Sequence, residues 1–293
     1  MFNVTSENYS NIKLVVVDGS MTINKDDTEL TVTVTGNSDA TKVYTGSEQS
    51  VTGFDYDNKD KCTVALKSGE KAEAKGTNAG DYTMGLTEEM FDVTSENYSN
   101  IKLVIVDGTL TIGKATITVT SVTAEDKEYD ATTDAEISSV VFSGVQNSEA
   151  TSVINVTATG SFENANVGTA KTVAIASYTL TGTGKDNYQL ATGAPESTTA
   201  DITAKEVTIT VDDKEKVYGA PTPTFTGSVS GLINDGDLGT ISYSRISSNE
   251  NAGTYANDLT ASFTANTNYN VSVTKGTFTI NKDDTELTLL IKR

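Results

Sequence analysis

Residues 90–113 read MFDVTSENYSNIKLVIVDGTLTIG and match residues 1–24, MFNVTSENYSNIKLVVVDGSMTIN, at 19 of 24 positions. A shorter duplication, INKDDTELT, occurs at residues 23–31 and again at residues 280–288. Sequence that returns along a chain indicates an array, in which each copy is one structural unit that packs against its neighbours. The chain is therefore predicted to be a tandem repeat protein. Because Met1 aligns with the internal Met90, we expect the sequence to be part of a longer protein.

Five landmarks recur in the same order in three repeats. A strand of alternating Thr and aliphatic residues comes first, followed by Lys-x-Tyr, an apolar residue leading through a turn to an acid, Asn-Ala/Val-Gly, and Asn-Tyr. The Lys-x-Tyr landmarks are 85 and 89 residues apart, which sets the repeat length. The residues of the second and fourth landmarks are Lys42 and Tyr44, Lys127 and Tyr129, Lys216 and Tyr218, and Gly80, Gly168 and Gly253.

Alternation of apolar and polar residues between frequent turns predicts an all-β fold. We expect a tandem array of small antiparallel β domains, each an immunoglobulin-like sandwich or a helix-poor β-grasp-like sheet. Asp-Gly at residues 18–19 and 107–108, between apolar strands, predicts a two-residue hairpin turn, and Lys275-Gly276 fills the same position in the third repeat.

The landmarks divide the chain into three domains, residues 25–113, 114–205 and 206–281. Residues 1–24 are predicted to be the C-terminal hairpin of a preceding repeat, and residues 282–293 the first strand of a following one. Only a few residues separate one domain from the next, without a run of Pro, Gly or Ser. Joints this short predict an elongated, semi-rigid rod.

Composition excludes several classes of function. The chain has 36% hydrophobic residues and no Trp, so each repeat has a thin core. Its net charge of −19 argues against nucleic acid and anionic membrane as partners, and no apolar run is long enough for membrane insertion. The absence of His and the single Cys62 exclude zinc sites and a disulfide framework, and no cofactor is predicted.

The second and third repeats resemble known bacterial repeat families. Residues 127–132 (KEYDAT), with Asn166-Val167-Gly168 and Asn187-Tyr188, resemble the YDG domain. Residues 216–219 (KVYG), with Asn251-Ala252-Gly253, resemble the MBG domain of YGX type, and the first repeat carries the same skeleton. The resemblance implies large secreted or wall-attached bacterial proteins, often adhesin-like, in which such modules form stalks. No catalytic residues belong to the pattern.

Each candidate site also has a structural interpretation. A repeat Lys and the Asn of the fourth landmark are the partners that an isopeptide bond needs, but a Tyr packed at a strand end under the Lys stem is the favoured interpretation. The Asn-x-Gly landmark is predicted to be a turn whose Gly takes a positive φ. The acidic pairs at the joints are calcium candidates, although solvated turns explain them as well: Asp26, Asp27, Asp283 and Asp284.

We predict a non-catalytic stalk or adhesin region of a bacterial cell-surface or secreted protein, located outside the cell. Its expected partners are other copies of the repeat or neighbouring surface-protein domains. No His, nucleophile elbow or phosphate loop supports an enzyme. Two alternatives remain open at this point. One is a glycan-binding module, and the other is a filament subunit joined head to tail by a donated strand that contains Leu287, Leu289 and Ile291.

The predicted rod has a measurable length. Three repeats placed end to end, with strands of roughly ten residues at ~3.3 Å per residue plus turns, give a particle about 100 Å long. A compact globule of the same chain length would measure roughly 40 Å. Small-angle X-ray scattering distinguishes the two, and a maximum dimension near the lower value would contradict the stalk interpretation.

Overall fold

The computed structural model describes residues 1–286, Thr288 and Leu290. In this part of the chain the structure is almost entirely β, with helix limited to two 3-10 turns at Glu88–Met90 and Lys185–Asn187. The chain divides into two compact units, residues 1–114 and 115–293. The all-β prediction is therefore confirmed.

The first unit contains ten strands. They are β1 (Leu30–Gly36), β2 (Asp39–Val43), β3 (Gln49–Thr52), β4 (Phe54–Tyr56), β5 (Thr63–Leu66), β6 (Glu73–Gly76), β7 (Gly80–Thr83), β8 (Phe91–Thr94), β9 (Ile101–Val106) and β10 (Thr109–Gly113). Two three-stranded sheets have the strand orders β4-β1-β9 and β2-β10-β7. Each of them pairs a strand from the beginning of the repeat with a strand from its end. The pairs β3-β6 and β5-β8 complete the unit.

The second unit contains two successive repeats. The strands of the former are β11 (Ala115–Ala124), β12 (Lys127–Glu128), β13 (Asp134–Ala135), β14 (Ile137–Ser143), β15 (Asn155–Phe162), β16 (Gly168–Thr181), β17 (Tyr188–Leu190) and β18 (Ser197–Thr203). Those of the latter are β19 (Lys205–Val211), β20 (Lys214–Val217), β21 (Gly227–Ser230), β22 (Ser242–Arg245), β23 (Gly253–Ser262), β24 (Tyr269–Thr274) and β25 (Gly276–Asn281). Only Ala204 separates β18 from β19.

All three repeats share one topology. The opening strand lies between an antiparallel neighbour and a parallel one, in the orders β4-β1-β9, β14-β11-β17 and β21-β19-β24. The strand of the Lys-x-Tyr landmark runs parallel to the closing strand, in the pairs β2-β10, β12-β18 and β20-β25. The sheets are thus mixed rather than antiparallel, because the last two strands of each repeat return beside the first two and run in the same direction.

Two sheets pack face to face in the third repeat. Val211, from the opening strand, packs with Leu259, Phe278 and Ile280 of the other sheet. The apolar residues of the opening strands alternate with exposed ones, as β1 shows with buried Leu30, Val32 and Val34. This arrangement agrees with the sandwich alternative and differs from a single β-grasp-like sheet.

The Asp-Gly hairpin prediction is wrong. Strands β9 and β10 flank Asp107-Gly108 but belong to different sheets, so the dipeptide carries the chain from one sheet to the other. Gly108 is needed there for close backbone approach. A Cβ built on Gly108 would lie 2.4 Å from the carbonyl oxygen of Asn37, and one built on Gly36 would lie 2.4 Å from the nitrogen of Gly108. In the third repeat, Lys275-Gly276 likewise joins β24 and β25, which pair in different sheets.

The N-terminal segment also differs from expectation. Residues 1–24 contain no strand and are exposed throughout, although the nearly identical residues 90–113 form β8, β9 and β10. In the internal copy, β9 and β10 pair with β1, β2 and β7, and a hairpin without such partners is marginal in water. The proposed donor residues Leu287, Leu289 and Ile291 lie outside the described residues, and Lys282 to Glu286 form no strand.

Replacing Gly108 with Ala tests the crossover. The added methyl has no room against Asn37 and lies 2.7 Å from the sulfur of Met84, so we expect unit 1 to lose about 1–3 kcal/mol of unfolding free energy. Gly19→Ala is the matched control, since Gly19 is the same position in the N-terminal copy and nothing lies within 4 Å of its added Cβ. Chemical denaturation of both variants gives the comparison. Equal losses would refute the close crossing.

Candidate functional site

The tyrosine of the Asn-Tyr landmark is buried in both repeats of the second unit. Tyr188, which opens β17, is only 1% exposed. Its hydroxyl donates to Oε2 of Glu149 at 2.6 Å and accepts from the backbone nitrogen of Gln146 at 3.0 Å. Burial raises the pKa of Tyr188, and the bond to Glu149 raises it further, so the hydroxyl retains its proton as a donor.

The third repeat has the same arrangement. The Tyr269 hydroxyl donates to Oδ2 of Asp237 at 2.6 Å and accepts from the backbone nitrogen of Ile233 at 3.2 Å. Burial and then Asp237 raise the pKa of this tyrosine also. The acid of the third landmark thus serves as the acceptor for the tyrosine of the fifth. In the first unit the described residues include no such bond between Tyr98 and Glu70, and Tyr98 is only half-buried.

Asn268, one residue before Tyr269, joins the two repeats of the second unit. Its side-chain Oδ1 accepts from the backbone nitrogen of Val167 at 2.9 Å, and its Nδ2 donates to Oδ1 of Asn166 at 3.1 Å. Its backbone oxygen accepts from the nitrogen of Lys205 at 3.0 Å. Asn268 is 8% exposed, so its own end of each of these bonds is shielded from water. We call these residues, Asn166, Val167, Lys205 and Asn268, the asparagine clamp.

Local turns hold both sides of the asparagine clamp in place. The nitrogen of Asn166 donates to the side chain of Asn164 at 3.1 Å, which fixes the turn that leads into β16. The nitrogen of Asn268 donates to the side chain of Asn266 at 3.0 Å, immediately before β24. Asn side chains favour such turns because they mimic a backbone acceptor two residues on. The clamp is therefore formed by two short segments that are each ordered within their own repeat.

An apolar contact lies behind the asparagine clamp. The rings of Tyr129 and Tyr269 meet edge to face, with centroids 5.3 Å apart and planes at 82°. They belong to one buried cluster that draws on both repeats: Ala124, Tyr129, Phe162, Val173, Ala200, Ile202, Val207, Ile209, Leu238 and Tyr269. The two repeats therefore share a core in addition to a one-residue connection.

An ion pair borders this junction. Nζ of Lys205 lies 2.6 Å from Oε1 of Glu128, whose side chain is half exposed. Solvent screening limits such a pair to about 1 kcal/mol or less. The shared core and the asparagine clamp therefore contribute more to the junction than this pair does.

The Lys127 side chain organises the loop after its strand. Its Nζ lies 2.9 Å from four acceptors, Asp130 Oδ1, Thr132 Oγ1 and the backbone oxygens of Thr132 and Asp134, which share its three N–H donors, and it lies 5.6 Å from the Phe162 ring centroid. Burial raises the pKa of Asp130, but the hydrogen bonds from Lys127 and Thr132 outweigh it and lower the pKa to about 2. The lysine thus has a structural role.

The other Lys-x-Tyr landmarks follow only part of the predicted pattern. Lys42 pairs with Asp39, and Lys216 pairs with Glu250. Tyr44 is buried, as is Tyr129, which is 7% exposed. Tyr218 is 53% exposed, so the packed-tyrosine interpretation is wrong for the third repeat.

The three landmark glycines begin strands rather than simple turns. Each lies opposite a buried Ile of the closing strand: Gly80 opposite Ile112, Gly168 opposite Ile202, and Gly253 opposite Ile280. Gly80 has a φ of 149°. The predicted positive φ is wrong for Gly168 and Gly253, which have extended neighbours in β16 and β23 and are not among the positive-φ residues.

Two of the four calcium candidates, Asp26 and Asp283, accept hydrogen bonds that stabilise turns. Oδ1 of Asp26 accepts from both the nitrogen and the hydroxyl of Thr28, and Oδ1 of Asp283 accepts from the nitrogen of Thr285. Those hydrogen bonds lower the pKa of both aspartates. Asp27 and Asp284 are exposed beside them. Among the described residues, no group of three or more acidic or cysteine side chains is placed to bind a metal ion.

Arg245 is a structural residue that the landmarks did not reveal. Its guanidinium is buried between the rings of Phe278 and Tyr255, 4.5 and 4.7 Å from their centroids. It donates to Asp258 Oδ2 at 2.5 Å and to the backbone oxygen of Asn249 at 2.5 Å. Arg245 therefore fixes the turn that precedes Asn251. A single Arg within a repeat has no counterpart to align with, so periodicity gave no signal for it.

Comparison with known families identifies two of the repeats. The YDG domain matches residues 113–199, and the MBG domain (YGX type) matches residues 207–279. The chain carries a YDG domain and an MBG domain. Neither the comparison with curated proteins nor that with solved structures returned a match.

These two families supply a coarse functional frame. YDG and MBG domains are non-catalytic repeat domains of the kind found in surface proteins. In the described part of the chain, no helix has the length and apolar character needed to cross a membrane. The asparagine clamp and the shared core thus join a YDG domain to the MBG domain that follows it.

The tyrosine–acid bond can be tested with Tyr269→Phe. The ring and its contact with Tyr129 remain, but Asp237 loses a donor and the Ile233 nitrogen loses an acceptor. We expect the MBG domain to lose about 1–3 kcal/mol of unfolding free energy, because buried polar groups are left unpaired.

Tyr243→Phe is the control in the same domain. Tyr243 is half-buried, and its hydroxyl has no hydrogen-bond partner among the described residues. In urea denaturation we expect the unfolding free energy of Tyr243→Phe to lie within about 0.5 kcal/mol of that of the unsubstituted protein. A Tyr269→Phe value equal to this control would show that the bond to Asp237 contributes nothing.

Proposed function

We propose that this chain is a non-catalytic stalk or adhesin-repeat region of a bacterial cell-surface or secreted protein, and that it acts outside the cell as a spacer. The observation that supports this most directly is the junction between the YDG and MBG domains. Their connection is one residue long, their apolar side chains form one core, and Asn268 bonds across the boundary. A spacer needs joints that resist bending, and this junction has the contacts for that.

Burial of four of the six landmark tyrosines supports a spacer over a glycan-binding module. Carbohydrate recognition by stacking uses exposed aromatic faces. Tyr44, Tyr129, Tyr188 and Tyr269 are all buried, and two of them have their hydroxyls bound to acids of the same repeat. The landmark spacing thus serves internal packing.

An enzymatic role has no support among the same residues. Among the described residues of the second unit, the groups with shifted pKa values are tyrosines, aspartates and Glu250, and all of them take part in structural hydrogen bonds. The asparagine clamp consists of amides, which do not transfer protons near neutral pH. We therefore propose a structural role alone, with other repeats or neighbouring surface-protein domains as partners.

Joint stiffness is measurable with spin labels. In the full chain carrying Cys62→Ala, labels are attached at Ser139→Cys and Ser244→Cys, two exposed strand positions in the YDG and MBG domains. Pulsed electron paramagnetic resonance should give one narrow distance distribution. A broad distribution in this parent protein would overturn the spacer proposal, because the joint would then bend freely.

Asn268→Ala should broaden the distribution, since it leaves the half-buried Val167 nitrogen and the Asn166 amide without their partner. Asn270→Ala is the matched control. Asn270 lies two residues further on, is exposed, and bonds only to Glu206 of its own repeat. The distance distribution of Asn270→Ala should have the same width as that of the labelled protein without this substitution. Broadening of equal size in both variants would mean that the asparagine clamp does not govern the joint.

A further inference from the structure

The outer end of the MBG domain has the same half-site that the YDG domain uses at the junction. Tyr129 and Tyr218 both follow the Lys-x-Tyr strand and both donate their backbone nitrogen to the last residue of the closing strand, Thr203 and Asn281, each at 2.9 Å. Tyr129 packs on Tyr269, whereas Tyr218 is more than half exposed. The two tyrosines thus differ in what covers them and share their position in the fold.

The turn beside Tyr218 is also already formed. The nitrogen of Asn251 donates to the side chain of Asn249 at 3.0 Å, as Asn166 does to Asn164 at 3.1 Å. Arg245 holds the Asn249 carbonyl, and the Tyr255 hydroxyl donates to the backbone oxygen of Asn251 at 2.7 Å. Ala252 takes the place of Val167, and its backbone nitrogen has no acceptor within the described part of the chain.

A matching surface exists on the first repeat. At the junction, the nitrogen of Lys205 donates to the carbonyl of Asn268, and Lys205 pairs in parallel with Tyr269. In the first repeat, the nitrogen of Asp26 donates to the carbonyl of Asn97 at 2.7 Å, and Asp26 pairs in parallel with Tyr98. Asn97 is exposed, whereas Asn268 is buried.

A duplicated segment points to the type of repeat that fits this end of the MBG domain. Residues 280–288 are identical to residues 23–31, and residues 23–31 lead directly into the first repeat. In the structure the duplicated segment leaves the MBG domain beside the exposed half-site. A surface depression there is lined by Tyr218, Asn251, Ala252, Lys282, Asp283 and Thr285.

We propose that the half-site formed by Tyr218, Asn251 and Ala252 binds the Asn-Tyr segment of a repeat of the residue 25–113 type, placed directly after the MBG domain in the same chain. The bound asparagine, equivalent to Asn97, accepts from the Ala252 nitrogen and donates to the Asn251 side chain. The tyrosine equivalent to Tyr98 covers Tyr218. This inference rests on the spacer proposal and specifies its next joint.

The test uses the full chain extended by one repeat. Because residues 280–288 and 23–31 are identical, residues 1–288 followed by a second copy of residues 32–114 give a continuous sequence without a foreign linker. Amide hydrogen exchange is followed by nuclear magnetic resonance at Ala252 and at Val167. We expect exchange at Ala252 to slow about tenfold or more relative to the 293-residue chain, as its nitrogen gains a shielded acceptor.

Two variants define the contact. Asn97→Ala in the added repeat should restore fast exchange at Ala252, whereas Asn97→Ala in the original first repeat should leave it slow. Unchanged exchange at Ala252 in the extended protein would overturn the inference. Slowing that appears in the 293-residue chain as its concentration rises would also overturn it, since the occupant would then be a second molecule.

Amide exchange at Val167 distinguishes a failure of this inference from a failure of the spacer proposal. Its nitrogen bonds to Asn268 in the internal junction and should exchange slowly in every protein made. Fast exchange at Ala252 alone in the extended protein would refute binding at the outer half-site but would not contradict the proposed YDG–MBG junction. Fast exchange at both positions would refute the asparagine clamp, and with it the stiffness on which the spacer proposal depends.

Discussion

The small amount of apolar side chain in each repeat is the constraint on which the rest of the structure depends. A β domain of about 85 residues with 36% hydrophobic content and no Trp buries little surface by itself. In the second unit this is offset at the junction, where Val207 and Ile209 of β19 join the core of the preceding repeat. These two repeats are therefore not independent domains connected by a linker, since each supplies part of the other's core.

Hydrogen bonds add stability that the thin core of each repeat does not supply. In both repeats of the second unit, a landmark acid and a backbone nitrogen fix the tyrosine hydroxyl, which positions the Asn-Tyr segment at the start of its strand. Asn268 is thereby presented to the preceding repeat. In this unit the third and fifth landmarks bond within a repeat, while the fourth and fifth bond across the boundary.

Much of the architecture was predictable from the sequence, because alternation and duplication report directly on strands and on repeating units. The β content and the burial of Tyr129 followed from those patterns, and the YDG and MBG relationship followed from the resemblance of the landmark motifs. The parallel pairing of β1 with β9 did not, because the two strands lie some 70 residues apart and no local signal specifies which neighbour a strand takes. Asp107-Gly108 misled for a related reason: a dipeptide suited to a tight hairpin also suits a close crossing between sheets.

The asparagine clamp was not predicted from the sequence, because its two halves lie about 100 residues apart in the sequence. Each half taken alone is fully accounted for by a local turn. What makes the site is complementarity between the end of one repeat and the beginning of the next. The dependence of Arg245 on Phe278 and Asp258 is equally invisible to periodicity, since it occurs in one repeat only.

The asymmetry of this contact bears on how such a chain grows during evolution. The two halves of the contact are different surfaces on opposite ends of a repeat, so each joined pair leaves one half of either kind for the next repeat. A duplication that copies a whole repeat therefore copies both halves of the contact together. The near identity of residues 1–24 and 90–113 is the trace that such an event leaves. Length can thus vary by whole repeats while the joint stays constant.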